Sequence, residues 1–113
     1  MHVQIVRFQL KNMSIDEYAN ITDELAPEFS KVPGLESKIW IADEPTGTYG
    51  GVYCWNNRDA MEAFTKTELF NSVVNHPNLT NFSSNDFSVM DAPTRVTRGE
   101  LLAGTVHFGD SPF

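Results

Sequence analysis

Four short stretches of the chain alternate apolar with neighbouring residues, and longer ones between them repeat apolar residues every three or four positions, a pattern that predicts strands and helices in turn. From His2 to Leu10 a strand would place Val6, Phe8 and Leu10 on one face and Val3 and Ile5 on the other, where Arg7 interrupts. Ser14 opens a helix, Glu17 completes a capping box, and Ile15, Tyr18, Ile21, Leu25 and Phe29 form the apolar stripe. Pro27 removes a backbone donor inside that stripe and should kink the helix or end its regular part. Pro33 and Gly34 then turn the chain into a second strand, Leu35 to Ala42, with Leu35, Ser37, Ile39 and Ile41 opposite Glu36, Lys38, Trp40 and Ala42. The turn residues from Asp43 to Thr48 predict an antiparallel hairpin with a third strand, Gly51 to Trp55. There Val52 and Cys54 share one face, and Tyr53 and Trp55 the other.

Asn56 or Asn57 can cap a helix from Arg58 to about Thr67, with Ala60, Met61, Ala63 and Phe64 inward. A second helical segment is predicted over Glu68 to Asn75, and Pro77 stops it. Asn78 to Asn85 reads as a polar connection, and Asp86 to Asp91 as the fourth strand, with Phe87 and Val89 on one face and Met90 on the other. Strand, helix, strand, strand, helix, strand is the split βαβ order, so the expected class is α+β: a ferredoxin-like plait whose four-stranded antiparallel sheet carries its helices on one face. Neither face of the third strand is polar, so the uncovered face should need a second copy of the chain, sheet against sheet. Residues 1–99 would form this domain, and the tail, 100–113, should dock on its own or the partner subunit, with Thr105 to Phe108 as a short extra strand.

Charge narrows the function. Eight basic against fifteen acidic residues leave a net charge of -7, which opposes phosphate backbones and anionic lipid, so neither nucleic acid nor membrane is an expected partner. The first ten residues are too short and too polar for a signal or a span, which makes the cytoplasm the expected compartment. The one cysteine, Cys54, excludes an internal disulfide and a thiolate metal cluster, and mid-strand it reads as core filler. Histidines at 2, 76 and 107 form no short-range metal pattern, so no metal and no cofactor are expected. Phosphate-binding glycine loops, nucleophile elbows and paired carboxylates are also missing from the sequence.

The run GGVYCWNNRDAMEAF, from Gly50 to Phe64, with PGLESKIW before it and ELFNSVVNHPNLTNFSSNDFSVMDAPTRVTRG after it, resembles the YdhR-type monooxygenases of the dimeric α/β-barrel superfamily. The likeness covers Met1 to Gly99, and the glycine pair followed by Val-Tyr-x-Trp is its most specific part. It implies a homodimeric α/β barrel in a superfamily that includes cofactor-free monooxygenases acting on phenolic polyketides, together with haem-degrading enzymes, lyases and members with no known chemistry.

Cofactor-free oxygenation needs a dry pocket for an electron-rich phenol and donors that stabilise its phenolate. Tyr53, Trp55 and Trp40 alternate so as to project from one sheet surface, each with an apolar body and one polar donor, and they are either pocket walls or core and interface aromatics. His76, at a helix end before Pro77, is the histidine placed to act as a base, or else an exposed residue interacting with the helix dipole. Haem ligation by His76 is a further reading. Tyr53, Trp55 and His76 are therefore the expected catalytic set, and Trp40, Phe8, Arg7 and Met90 the expected substrate contacts. Arg7 would alternatively pair with an acidic residue across the dimer, Asp86 being one candidate. His2 and His107 have no carboxylate at useful spacing and rank below His76. The expected function is cofactor-independent oxidation of a small hydrophobic phenol or quinol; the alternative is a non-catalytic dimeric barrel that binds a small hydrophobic molecule or a protein.

Overall fold

A computed structural model describes residues 1–100. Strand β1 (His2–Leu10) leads to helix α1 (Ile15–Phe29), the hairpin β2 (Leu35–Asp43) and β3 (Thr48–Trp55), two short helices α2 (Arg58–Phe64) and α3 (Glu68–Val74), strand β4 (Leu79–Ser88) and a last helix α4 (Asp91–Val96). The four strands form one antiparallel sheet in the order β2-β3-β1-β4, which is the ferredoxin-like arrangement. The expected α+β class and one-sided helix layer are both present. The tail beyond residue 100, including the strand expected over Thr105 to Phe108 and the proposed docking, lies outside the described residues.

Local chemistry sets the element ends. Ser14 accepts from the Glu17 amide while Glu17 reaches back to the Ser14 amide, closing the capping box at α1. Asn57 caps α2 through the Ala60 amide, and Thr67 caps α3 through the Phe70 amide. Pro27 sits within the last turn of α1, where the helix still runs on to Phe29. The hairpin is longer than expected, because pairing begins at Asp43 and Thr48 and leaves only Glu44 to Gly47 as the turn, with Gly47 at φ 67°.

Register decides which residues meet. His2, Gln4, Val6 and Phe8 of β1 stand opposite Trp55, Tyr53, Gly51 and Tyr49 of β3, so these residues share the helix-covered face. Phe29 and Tyr18 of α1, and Met61 and Phe64 of α2, close over that face to make the buried core. Phe64 is central: its ring lies 5.2 Å from Trp55, 5.3 Å from Phe70, and 5.8 Å from both Phe29 and Tyr53, in tilted and edge-on contacts. On the opposite face, Val3 lies beside Cys54 and Phe87, and Ile5 beside Val52 and Asn85. Ile39, 43% exposed, and Phe87, 55% exposed, flank that apolar strip.

The fourth strand departs from the sequence reading. It occupies Leu79–Ser88, so the supposed polar connection is the strand itself, and Asp91–Val96 is helical. Two features hid it. β4 is an edge strand with mostly exposed side chains, and its pairing with β1 shifts between Arg7 and Gln9, where Asn81 takes φ 54° and breaks the alternation. Asn81 also donates to the Gln9 side chain, which holds the bulge in place. The helix after Asn57 likewise ends at Phe64, earlier than expected, because Thr65 and Thr67 turn their hydroxyls back to the carbonyls of Glu62 and Phe64.

His2 and Asp86 correct a second expectation. His2 does have a carboxylate partner: its Nε2 lies 2.6 Å from Asp86 Oδ2, since β1 and β4 bring residues 84 apart into neighbouring register. Asp86 is thereby engaged on the helix-covered face. Arg7 lies exposed on the other face, opposite Gly50 and Ser83, and does not meet Asp86.

Candidate active site

Between the helix layer and the sheet lies a cavity of about 290 Å³, at the small end of the ligand-pocket range of roughly 300–1,000 Å³. Its walls come from α1 (Tyr18, Ile21, Thr22, Glu24, Leu25, Phe29), from the sheet (Phe8, Lys38, Trp40, Gly50, Tyr53, Leu79), from α3 and the turn after it (Ser72, Val73, His76), and from Met13. Two adjacent glycines of β3 lie at the sheet side of the cavity, and Gly50 lines it. Gly50 has φ 150°, and a Cβ there would run into the Val6 carbonyl. Gly51 faces the helix layer, between Trp40 of β2 and Val6 of β1, and a Cβ there would stand 2.8 Å from Lys38 Cε.

Lys38 is the unusual group. In β2 it stands opposite Tyr53, and its Nζ lies 3.4 Å from the centres of the Phe29 and Trp40 rings and 4.6 Å from that of Tyr53. Among the described residues no carboxylate lies within ion-pair distance of it and no acceptor bonds it. Burial pushes its pKa down from 10.5 to about 7. The ring faces attract a cation and oppose that fall, so both the amine and the ammonium are accessible near neutrality.

The two phenols move the other way. Burial, with a smaller contribution from Tyr49, pushes Tyr18 up to about 12. Burial first and Tyr18 second hold Tyr53 above the ordinary phenol range. Both hydroxyls therefore stay protonated and act as donors, and neither has a hydrogen-bond partner among the described residues. His76 accepts at Nδ1 from the Asn78 amide, 3.1 Å away, which fixes a neutral ring as the tautomer with hydrogen on Nε2. The wall thus offers three donors and one titratable amine on an otherwise aromatic and aliphatic surface.

Of the residues expected from sequence, Tyr53, His76, Trp40 and Phe8 line this cavity together. Trp55 does not. It is fully buried behind Tyr53, stacked on it at 6.0 Å with only 7° between the planes, and its Nε1 donates to Gln4 Oε1 at 3.1 Å. Gln4 in turn donates to Ser84 at 2.9 Å, so the indole belongs to a satisfied polar chain in the core. Arg7 is on the helix-free face, and Met90, 74% exposed, sits at the start of α4; neither reaches the cavity. Lys38 and Tyr18 were missed by sequence reasoning. The signal for Lys38 was its parity with Trp40 along β2, which puts an amine on the face that Tyr53 occupies.

The fold is an α+β plait of the kind seen in structures described as antibiotic biosynthesis monooxygenases. The model of the family described as "Putative mono-oxygenase ydhR" matches residues 3–100, and the chain belongs to that family. SnoaB, a cofactor-independent oxygenase from Streptomyces nogalater, solved as its N63A mutant, superposes with a TM-score of 0.64 at 15% identity, covering 80% of this chain and 93% of that one. The haem degrader MhuD from Mycobacterium tuberculosis, solved with two haems in its active site, gives a TM-score of 0.64 at 18% identity, over 80% and 96% of the two chains. A putative antibiotic biosynthesis monooxygenase from Deinococcus radiodurans gives 0.66 at 13% identity, over 81% and 95%. At such identities the likeness is one of fold. No curated protein matches the chain by sequence. Among the described residues no helix is long and apolar enough to cross a membrane.

Proposed function

We propose that this chain is a cofactor-independent monooxygenase that oxidises a small phenol or quinol in the cavity between its helices and sheet. For a phenol with a free para position the balance is one substrate and one O₂ giving one quinone and one water. The observation that carries the reading is the composition of the wall: Trp40, Phe8 and Phe29 supply an aromatic box, while Tyr53, Tyr18, His76 and Lys38 supply polar atoms for a substrate oxygen. Tyr53 and His76 are the donors to the developing oxyanion, and Trp55, stacked behind Tyr53, is a positioning residue. Membership of a mono-oxygenase family supports the same reaction class.

The helix-free sheet face, with Val3, Ile5, Val52, Ile39 and Phe87 across its strands, supports a homodimer in which a second copy covers that strip. Haem is a poor fit to His76. Ligation through Nε2 would require the ring hydrogen on Nδ1, where it would face the Asn78 N–H donor. Oxygen uptake over a panel of anthrones and quinols tests the proposal: turnover should consume one O₂ per substrate and place one of its oxygen atoms in the product carbonyl. Saturable binding of such compounds with no oxygen consumed would favour the non-catalytic ligand-binding barrel instead.

A further inference from the structure

Lys38 separates two hollows. On one side is the aromatic cavity; on the other is a smaller space of about 250 Å³ with polar walls, lined by Ser30, Glu36 and Ser37 and sharing Phe29, Lys38 and Trp40 with the first. The stem of Lys38 passes over Gly51, and its amine ends among three rings with no acceptor among the described residues to hold it. An amine so placed borders the aromatic cavity on one side and the polar hollow beside Glu36 on the other.

We propose that Lys38 is the catalytic base of this site: its free amine takes the proton from an acidic O–H of the substrate, and the ammonium so formed holds the resulting oxyanion. The step breaks the substrate O–H bond, leaves its electron pair on oxygen and forms an N–H bond on Nζ; it needs no oxidant. It selects phenols and enols whose acidity lies near that of Lys38, and it disfavours amines, which would set cation against cation. The two tyrosines cannot do this, because burial keeps both phenols protonated. Burial of Lys38 brings its own titration to about 7, where a base must lie to work at neutral pH.

This assignment rests on the reading of the cavity as the substrate site, but it can fail separately from the oxygenase reading. The other ionisable groups bordering the same space are Tyr18 and Glu24 from α1, Tyr53 from β3 and His76 after α3, with Glu36 on Lys38's own strand. The complex of phenolate with ammonium carries one proton, so affinity should pass through a maximum near neutrality and fall on both sides.

The test uses p-nitrophenol, whose colour reports its ionisation. In a buffer acid enough to keep the free dye mostly neutral, wild-type protein should bind it as the yellow anion. Lys38→Met should weaken binding by roughly ten- to a hundredfold, the value of a charge-assisted hydrogen bond, and leave the residual bound dye colourless. Lys38→Arg, whose charge is permanent, should keep the anion bound and abolish the fall in affinity on the alkaline side. Near-ultraviolet circular dichroism confirms that each variant is folded. Dye that binds unionised, does not bind at all, or stays ionised in Lys38→Met overturns the assignment. Oxygen uptake is read separately: its absence with every substrate would sink the oxygenase and leave a positive dye result standing.

Discussion

Lys38 lies across Gly51 so closely that a methyl group on the glycine would come within 2.8 Å of Lys38 Cε and 3.2 Å of Tyr53 Cε1. These two neighbours are side chains that line the cavity, and the third, the Ile39 carbonyl oxygen at 3.3 Å, needs to give by only a few tenths of an ångström, so most of the crowding is relieved at the site. Gly51→Ala should cost only about 1 kcal/mol of stability while shifting the pH dependence of ligand binding. Gly50→Ala should cost about 3 kcal/mol or more, because its Cβ meets the rigid Val6 carbonyl and its φ of 150° suits only glycine. Urea unfolding of the two variants, run side by side, checks the contrast.

Trp55→Phe separates a structural indole from a reacting one. The substitution leaves Gln4 Oε1 without its donor in a site that is 1% exposed, and should lower stability by about 1–3 kcal/mol. Because Trp55 does not line the cavity and a phenyl ring preserves the stacking that positions Tyr53, ligand affinity should stay close to wild type. A thermal melt and a binding isotherm on the same preparation would show it; a large loss of affinity at unchanged stability would contradict the arrangement.

Burial of Lys38 also has a sign in the stability curve. Its folded pKa of about 7 lies below the unfolded value of 10.5, so between those values the unfolded chain binds more protons. The contribution of Lys38 to stability is therefore lowest below pH 7, rises with pH from about 7 to 10.5, and is level above that. Lys38→Met should remove this rise and be more stable than wild type at pH 6, by at most a few kcal/mol (~1.4 per pKa unit). Denaturant midpoints measured across that range for both proteins check it; a wild-type slope unchanged by the substitution would contradict it.

Ile39 and Phe87 stand on opposite edge strands of the helix-free face, and a charge there opposes burial against a second copy. Ile39→Asp should leave the monomer fold intact, since the side chain is 43% exposed within one subunit, yet weaken self-association by tenfold or more, about 1.4 kcal/mol. Sedimentation velocity over a concentration series reads this directly. A wild-type chain that sediments as a monomer at every concentration would remove the dimer.

The plait was legible in the sequence wherever burial enforces alternation. β1 and the existence of the hairpin, though not the start of β3 at Thr48, were legible because each strand has at least one face packed on rings, and α1 because Ser14, Glu17 and its stripe agree. β4 was misplaced because an exposed edge strand needs no apolar alternation, and Asn81 adds a bulge that shifts what there is. The aromatic part of the cavity wall, Trp40 and Tyr53, followed from strand parity. Lys38 escaped because strand parity puts it on the face of Trp40 but does not show its depth, which follows from the register with Tyr53 and the absence of a side chain at Gly51. Likewise the His2–Asp86 contact depends on strand pairing across 84 residues, which no local spacing displays.

The most direct measurement is a backbone amide NMR titration with a phenol that does not turn over. The account predicts saturable shifts gathered on the cavity wall, at Tyr18, Leu25, Lys38, Tyr53, Val73 and His76, with the helix-free face unmoved. Shifts confined to Val3, Ile5, Ile39 and Phe87 would place the ligand on the other side of the sheet and contradict it.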